Sequence, residues 1–115
     1  MTNLRNRIQL IGHLGANPEM KNFDNSKKKA QFSLATTERY QIKDEWKEDT
    51  QWHRVIAWDR MADRVEQQLR KGSFVLVEGK LIHRSYEDKN GETQYITEVQ
   101  AQSFIPLDKS ITEND

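Results

Sequence analysis

Apolar residues recur at every second position in several separate stretches of this chain, and at helical spacing in one, residues 61–69. Because a strand turns successive side chains to opposite faces, that alternation calls for a sheet with one buried face and a single helix packed on it. Residues 7–14 put Ile8, Leu10, Gly12 and Leu14 on one parity and Arg7, Gln9 and His13 on the other, with Ile11 interrupting. Ala30, Phe32, Leu34 and Thr36 share one face of a second strand. A third, residues 51–58, is apolar on both parities towards its end through Val55, Ile56, Ala57 and Trp58, so both faces there need cover, the second of which a ligand or another subunit could supply.

Between these segments lie residues with turn or helix chemistry. Gly15-Ala16-Asn17-Pro18 favours a turn, residues 23–29 a polar connection, and residues 39–51 a long charged hairpin-like loop with Trp46 near its middle. Asp59 is the expected N-cap of the helix, in which Met61, Val65 and Leu69 recur every four residues until Gly72 closes it as a C-terminal cap. Residues 74–86 read as a long fourth strand with Gly79 placed for a bulge. Asp88-Lys89-Asn90-Gly91 predicts a hairpin whose Asn-Gly pair takes a type I′ turn, and residues 94–105 return as strand five. Three strands, one helix and two strands suit an all-β protein with one helix, namely a five-stranded OB-fold Greek-key barrel with the helix between strands 3 and 4. That barrel occupies residues 1–106, and residues 107–115 form a short polar C-terminal tail.

At 115 residues the chain holds one core, and 35% hydrophobic against 31% charged residues keeps it outside the disordered class. The absence of cysteine rules out disulfides and thiolate metal sites. No signal or transit pattern opens the sequence and no apolar run reaches the ~20 residues of a membrane span, which predicts a cytoplasmic protein. Net charge is zero, unlike the usual basic surplus of a nucleic-acid binder. The charge is segregated, however: residues 1–43 hold 8 basic and 3 acidic side chains, while residues 44–115 hold 10 and 15.

Three strand-like segments set aromatics beside cations: Thr37-Glu38-Arg39-Tyr40, the run from Trp52-His53-Arg54 to Trp58, and His83-Arg84-Ser85-Tyr86. A base can stack on such rings without being identified, while a neighbouring guanidinium takes its phosphate, so the pairing points to single-stranded nucleic acid. Any one ring could equally fill a core, but arginine is seldom buried without a partner and marks the ligand-facing side of a strand. Catalysis finds no site. His13, His53 and His83 lack metal-ligand spacing, no glycine-rich phosphate loop precedes a helix, and Asp44, Glu45, Glu48 and Asp49 look like a solvated loop tip. No cofactor and no metal are expected. The competing reading is an OB module for protein interaction, or a primosome-type accessory with weak DNA binding.

Four separated segments, Ile11-Gly12-His13-Leu14-Gly15-Ala16-Asn17-Pro18-Glu19, Phe32-Ser33-Leu34-Ala35-Thr36-Thr37, Thr50-Gln51-Trp52-His53-Arg54-Val55 and Leu69-Arg70-Lys71-Gly72-Ser73, resemble bacterial single-stranded DNA-binding protein in order and spacing. The resemblance implies an OB-fold homotetramer that wraps single-stranded DNA during replication, recombination and repair, in the bacterial cytoplasm at the nucleoid. It places stacking aromatics at Tyr40, Trp52, Trp58 and Tyr86, and phosphate contacts at Arg7, Arg54, Arg60, Arg70, Lys71 and Arg84. His53 matches a subunit-interface position, or else is a satisfied strand histidine. Tyr40 and Tyr86 stand where many relatives carry Trp, and Trp58 where Phe is common. Replication and repair proteins are the partners implied, yet the acidic tip with a terminal Pro-Phe that usually recruits them is missing after Ser110-Ile111-Thr112-Glu113-Asn114-Asp115.

Overall fold

The structure, a computed structural model, describes residues 4–108. Its elements in chain order are β1 (Ile8–Leu14), β2 (Glu19–Asn22), β3 (Lys28–Ile42), β4 (Glu45–Trp58), α1 (Asp59–Gln68), β5 (Phe74–Glu87) and β6 (Thr93–Pro106). One sheet runs β1-β5-β6-β4-β3-β2, and β1 also meets β3 through His13 with Ala35 and Leu14 with Leu34, so the sheet rolls shut into a barrel. Among the described residues only the β4–β6 ladder is parallel, at Val55 with Val99 and Ile56 with Gln100.

β1 and β2 are two halves of one bent strand. From His13 to Glu19 they advance six residues while β3 moves four, from Ala35 to Gln31, and the Gly15–Pro18 corner absorbs the difference. The barrel is therefore the five-stranded one expected, with a short polar piece, β2, that has no alternation to betray it. The helix follows β4, which is the third of the five long strands.

The inward parities pack as the alternation requires. Leu34, Val55, Val75 and Val77 are wholly buried, and α1 closes one end of the barrel with Ala62 and Val65, joined by Leu69 just past its C-terminal end. Each fully buried Val or Leu contributes roughly 1.5 to 3 kcal/mol. The predicted bulge lies between Glu78 and Gly79. A Cβ on Gly79 would stand 2.0 Å from the Gln100 carbonyl oxygen, so only glycine lets β5 bend this closely over β6.

Four local expectations are corrected. Residues 39–51 are not a loop: β3 and β4 continue as a two-stranded ribbon to a two-residue turn at Lys43 and Asp44, both with positive φ, 49° and 70°. That is the type I′ geometry, whereas at residues 88–91 only Gly91 has positive φ, and Asp88 instead organises the turn, its Oδ1 accepting from the Asn90 and Glu92 N–H groups at 2.9 and 3.0 Å. Asp59 is not an N-cap. It is the first helical residue, and its carboxylate accepts from the Lys28 backbone N–H at 3.2 Å, while the Lys28 ammonium pairs with Asp63 and Glu66 one and two turns on. Gly72 does not cap the helix either. α1 ends at Gln68, and Gly72, at φ 87°, serves the next turn, closed by the Ser73 N–H on the Arg70 carbonyl at 2.9 Å.

After β6, the Leu107 N–H donates to the Phe74 carbonyl and Asp108 accepts from the Phe74 N–H, which ties the start of the predicted tail to β5. The remainder of that tail, residues 109–115, lies outside the described residues.

Candidate nucleic-acid interface

With Val55 and Ala57 turned inward, the other parity of β4 sets Trp52, Arg54, Ile56 and Trp58 on the outer wall. Ile56 is already buried within this chain between its register neighbours Gln31 and Gln100, so its second face needs no ligand or subunit as cover. Trp52 is 61% exposed. Its six-membered ring lies over Gly15, where the absence of a side chain makes room for it. Trp58 is partly buried, 6.0 Å from the Phe23 ring, with the Lys27 and Lys29 ammonium groups 5.8 and 5.7 Å from its centroid.

On this outer wall Arg54 is level with Glu98 across β4–β6, Arg84 lies diagonally from Glu98 two residues beyond its register partner Ile82, and Tyr86 stands two residues beyond Arg84 on the same parity, 46% exposed. Glu98 is 1% exposed. Its two oxygens accept from Arg84 Nε and Nη2 at 2.9 and 3.1 Å, and Arg54 Nε lies 2.9 Å from Oε2. Arg54 Nε is buried and off the hydrogen-bonding direction, so that contact is charge attraction, while Arg54 Nη2 donates to Gln31 Oε1 at 2.9 Å. The Arg84 fork holds the Glu98 carboxyl below its ordinary range against the opposing push of burial, and Arg84 is raised in return. Burial lowers the Lys29 ammonium; Glu98 opposes that shift, and Arg84, Arg54 and Lys21 reinforce it.

These side chains line an open groove of about 520 Å³ with Glu19, Met20, Lys21, Lys29, Gln31, Arg54 and Arg84 in its walls. Cations in the groove and rings at its margins can take a polyanion whose bases are free to stack.

The other predicted residues fall in five places. Tyr40, also 46% exposed, is paired with Lys47 and so occupies the ribbon face opposite to that of Trp52. Arg70 and Lys71 are exposed in the turn after α1, which is anchored to the Gly15 corner by the Lys71 N–H on Asn17 Oδ1 and the Gly72 N–H on the Leu14 carbonyl. Arg60 is exposed on the first turn of α1. Arg7 is engaged by Glu78 at the β1–β5 ladder, away from the groove's walls. His53 is half-buried and shares a hydrogen bond with Thr36 Oγ1 at 2.8 Å, in a recess beside Ile11.

Sequence reasoning missed Lys21, Lys29, Gln31 and Glu98. Lys29 belonged to the stretch read as a connection, Lys21 lay just before it in a segment without alternation, and Glu98 needs the parallel β4–β6 register before its neighbours are visible. Trp46, 65% exposed, is on the ribbon face of Trp52, on a strand and not in a loop. Among the described residues no group of three or more His, Cys, Asp or Glu could hold a metal, and no helix is long and apolar enough to cross a membrane.

The chain is similar to known proteins. The chain is 41% identical over 96 residues to single-stranded DNA-binding protein 1 of Chlorobaculum tepidum, an alignment covering 82% of this chain and 59% of that protein. It thus spans about three-fifths of that curated relative's length. The Plasmodium falciparum SSB solved in complex with ssDNA superposes with a TM-score of 0.83 at 35% identity, covering 94% of this chain and 99% of that one. Residues 5–107 match the single-strand binding protein family over the whole of the barrel, and the chain belongs to that family.

Proposed function

We propose that this protein binds single-stranded DNA without sequence preference and coats it passively during replication, recombination and repair. The observation that carries the reading is the outer wall of β4, β6 and β5, where exposed Trp52 and Tyr86 flank the Arg54 and Arg84 guanidinium groups. The relatives support it, one named for single-stranded DNA binding and the other solved with ssDNA. Bases stack on Trp52, Trp58 and Tyr86, with Tyr40 reached where the strand rounds the ribbon. Phosphates meet Arg54 and Arg84 in the groove and Arg60, Arg70 and Lys71 beyond it; Arg7 joins them by exchanging Glu78 for phosphate. The functional unit is a homotetramer in the bacterial cytoplasm, with His53 near a subunit contact.

Such binding is non-catalytic and depends on salt. Log affinity falls by about 0.7 per phosphate contact for each log unit of salt. Duplex DNA binds poorly, because its bases are already stacked on one another.

The test is quenching of intrinsic tryptophan fluorescence by oligo-dT and by an equal-length duplex at low and high salt. Saturable quenching by the single strand alone is expected. Absence of quenching, or an equal response to duplex, would replace this reading with a protein-interaction module.

A further inference from the structure

Behind the two arginines of the groove wall, Arg54 and Arg84, sits an acid. Glu98 is buried in the barrel wall, where an ionised carboxylate costs several kcal/mol to desolvate and an apolar residue would cost nothing. Its surroundings answer that cost first with the Arg84 fork on both oxygens, then with the charges of Lys29 and of Arg54, whose Nε lies 2.9 Å away. Both arginine side chains nevertheless remain about 40% exposed, at 40% and 42%. Each cation is therefore held along one edge and open along another, and Gln31 fixes the Nη2 of Arg54 on the groove side. A guanidinium has five N–H donors, so Arg84 keeps three after its fork to Glu98.

We propose that Glu98 is a positioning residue for the bound strand: it fixes Arg54 and Arg84 as one cradle, spanning β4, β6 and β5, that receives a phosphodiester. This rests on the single-stranded DNA reading above and adds to it the group that sets the geometry of its phosphate contact. Free arginine side chains would lose rotamer freedom on meeting the strand, whereas these two are ordered beforehand. The buried carboxylate also keeps the pair together against mutual repulsion, which Lys29 and Lys21 in the same groove increase.

The proposal makes a prediction opposite in sign to simple charge counting. Glu98→Gln removes a negative charge from a polyanion site, which by attraction alone would tighten binding and steepen its salt dependence. Loss of the cradle instead weakens oligo-dT binding by roughly tenfold at moderate salt and lowers the salt slope by about 0.7, the value of one phosphate contact. Arg84→Lys keeps the charge but cannot make the fork, and loses affinity in the same direction.

The experiment measures oligo-dT affinity by fluorescence quenching across a salt series for the wild type, Glu98→Gln and Arg84→Lys, with melting curves for each. Weaker binding and a shallower slope in both variants is the expected result. Affinity equal to or above wild type in a folded Glu98→Gln, even with a lowered melting temperature, would reduce Glu98 to a structural residue and overturn the proposal. If Glu98→Gln does not fold, Arg84→Lys decides, and wild-type affinity in that variant overturns it. A wild type that ignores oligo-dT removes the single-stranded DNA reading and the cradle with it, whereas a binding wild type with unaffected variants removes the cradle alone.

Discussion

The ring of Trp52 rests on Gly15, close enough that a Cβ on the glycine would come 2.6 Å from Cζ3 and 2.8 Å from Cη2. Gly15 is needed here for space, since it is not among the positive-φ glycines. The corner is otherwise well tied, with its N–H on the Ser33 carbonyl at 3.1 Å. Gly15→Ala therefore displaces a ring tip and leaves the backbone alone. Stability should change by no more than about 0.5 kcal/mol, as for other surface substitutions. Tryptophan emission should shift and oligo-dT affinity fall several-fold. Unaltered emission and affinity would mean that the ring is free of the corner.

Trp52 and Trp58 should respond differently to truncation. Trp52→Ala removes an exposed ring, so affinity should drop by the roughly 1 to 3 kcal/mol that alanine substitution gives for single-strand binders as a class, with the melting temperature nearly unchanged. Trp58→Ala also strips Phe23, Lys27 and Lys29 of their shared partner, and should lower both affinity and stability. Parallel titrations and thermal melts separate the two. A large stability loss in Trp52→Ala with affinity intact would assign that ring to the core.

The barrel was legible wherever a strand had a core to face. The alternation in residues 7–14, 30–36 and 74–86 is the imprint of one wet and one dry side, and the bulge at Gly79 follows from a close backbone approach that only glycine permits. The ribbon was not legible, because residues 37–50 project beyond the barrel and are wet on both sides, leaving no periodicity to read. Its turn was hidden too, since Lys43 and Asp44 adopt left-handed conformations without the Asn-Gly signature. For the candidate site, the outward aromatics and arginines were readable as types on strands. Their assembly was not: Arg54 and Arg84 are 30 residues apart and become neighbours only through a glutamate on the strand between them.

That ribbon turn is open to improvement. Asp44 holds φ 70°, a conformation that glycine adopts without the steric penalty of a Cβ. Asp44→Gly, which also places the preferred glycine in a type I′ turn, should stabilise the ribbon by roughly 0.5 to 1 kcal/mol. Slower hydrogen exchange at amides of Tyr40, Ile42 and Lys47 would register it. Faster exchange would show that the Asp44 side chain contributes more than its backbone costs.

Acid should unfasten the groove at Glu98. A carboxyl whose folded pKa is depressed stabilises the fold in full above its unfolded value, and that contribution disappears as pH falls through the depressed folded value. Glu98 is held down chiefly by the Arg84 fork, and Asp88, lowered chiefly by the Glu92 N–H, acts in the same sense. Lys28 is the mirror case: raised chiefly by its hydrogen bond to Asp63, it gives up its contribution only as pH rises through the raised value at the alkaline end. The melting temperature of the wild type should therefore be flat near neutrality and decline once pH drops below the ordinary carboxylate range. Glu98→Gln should start lower, decline less steeply and meet the wild-type curve at low pH, where Glu98 is itself neutral. Parallel curves down to pH 3 would place the acid-sensitive stability in carboxylates other than Glu98.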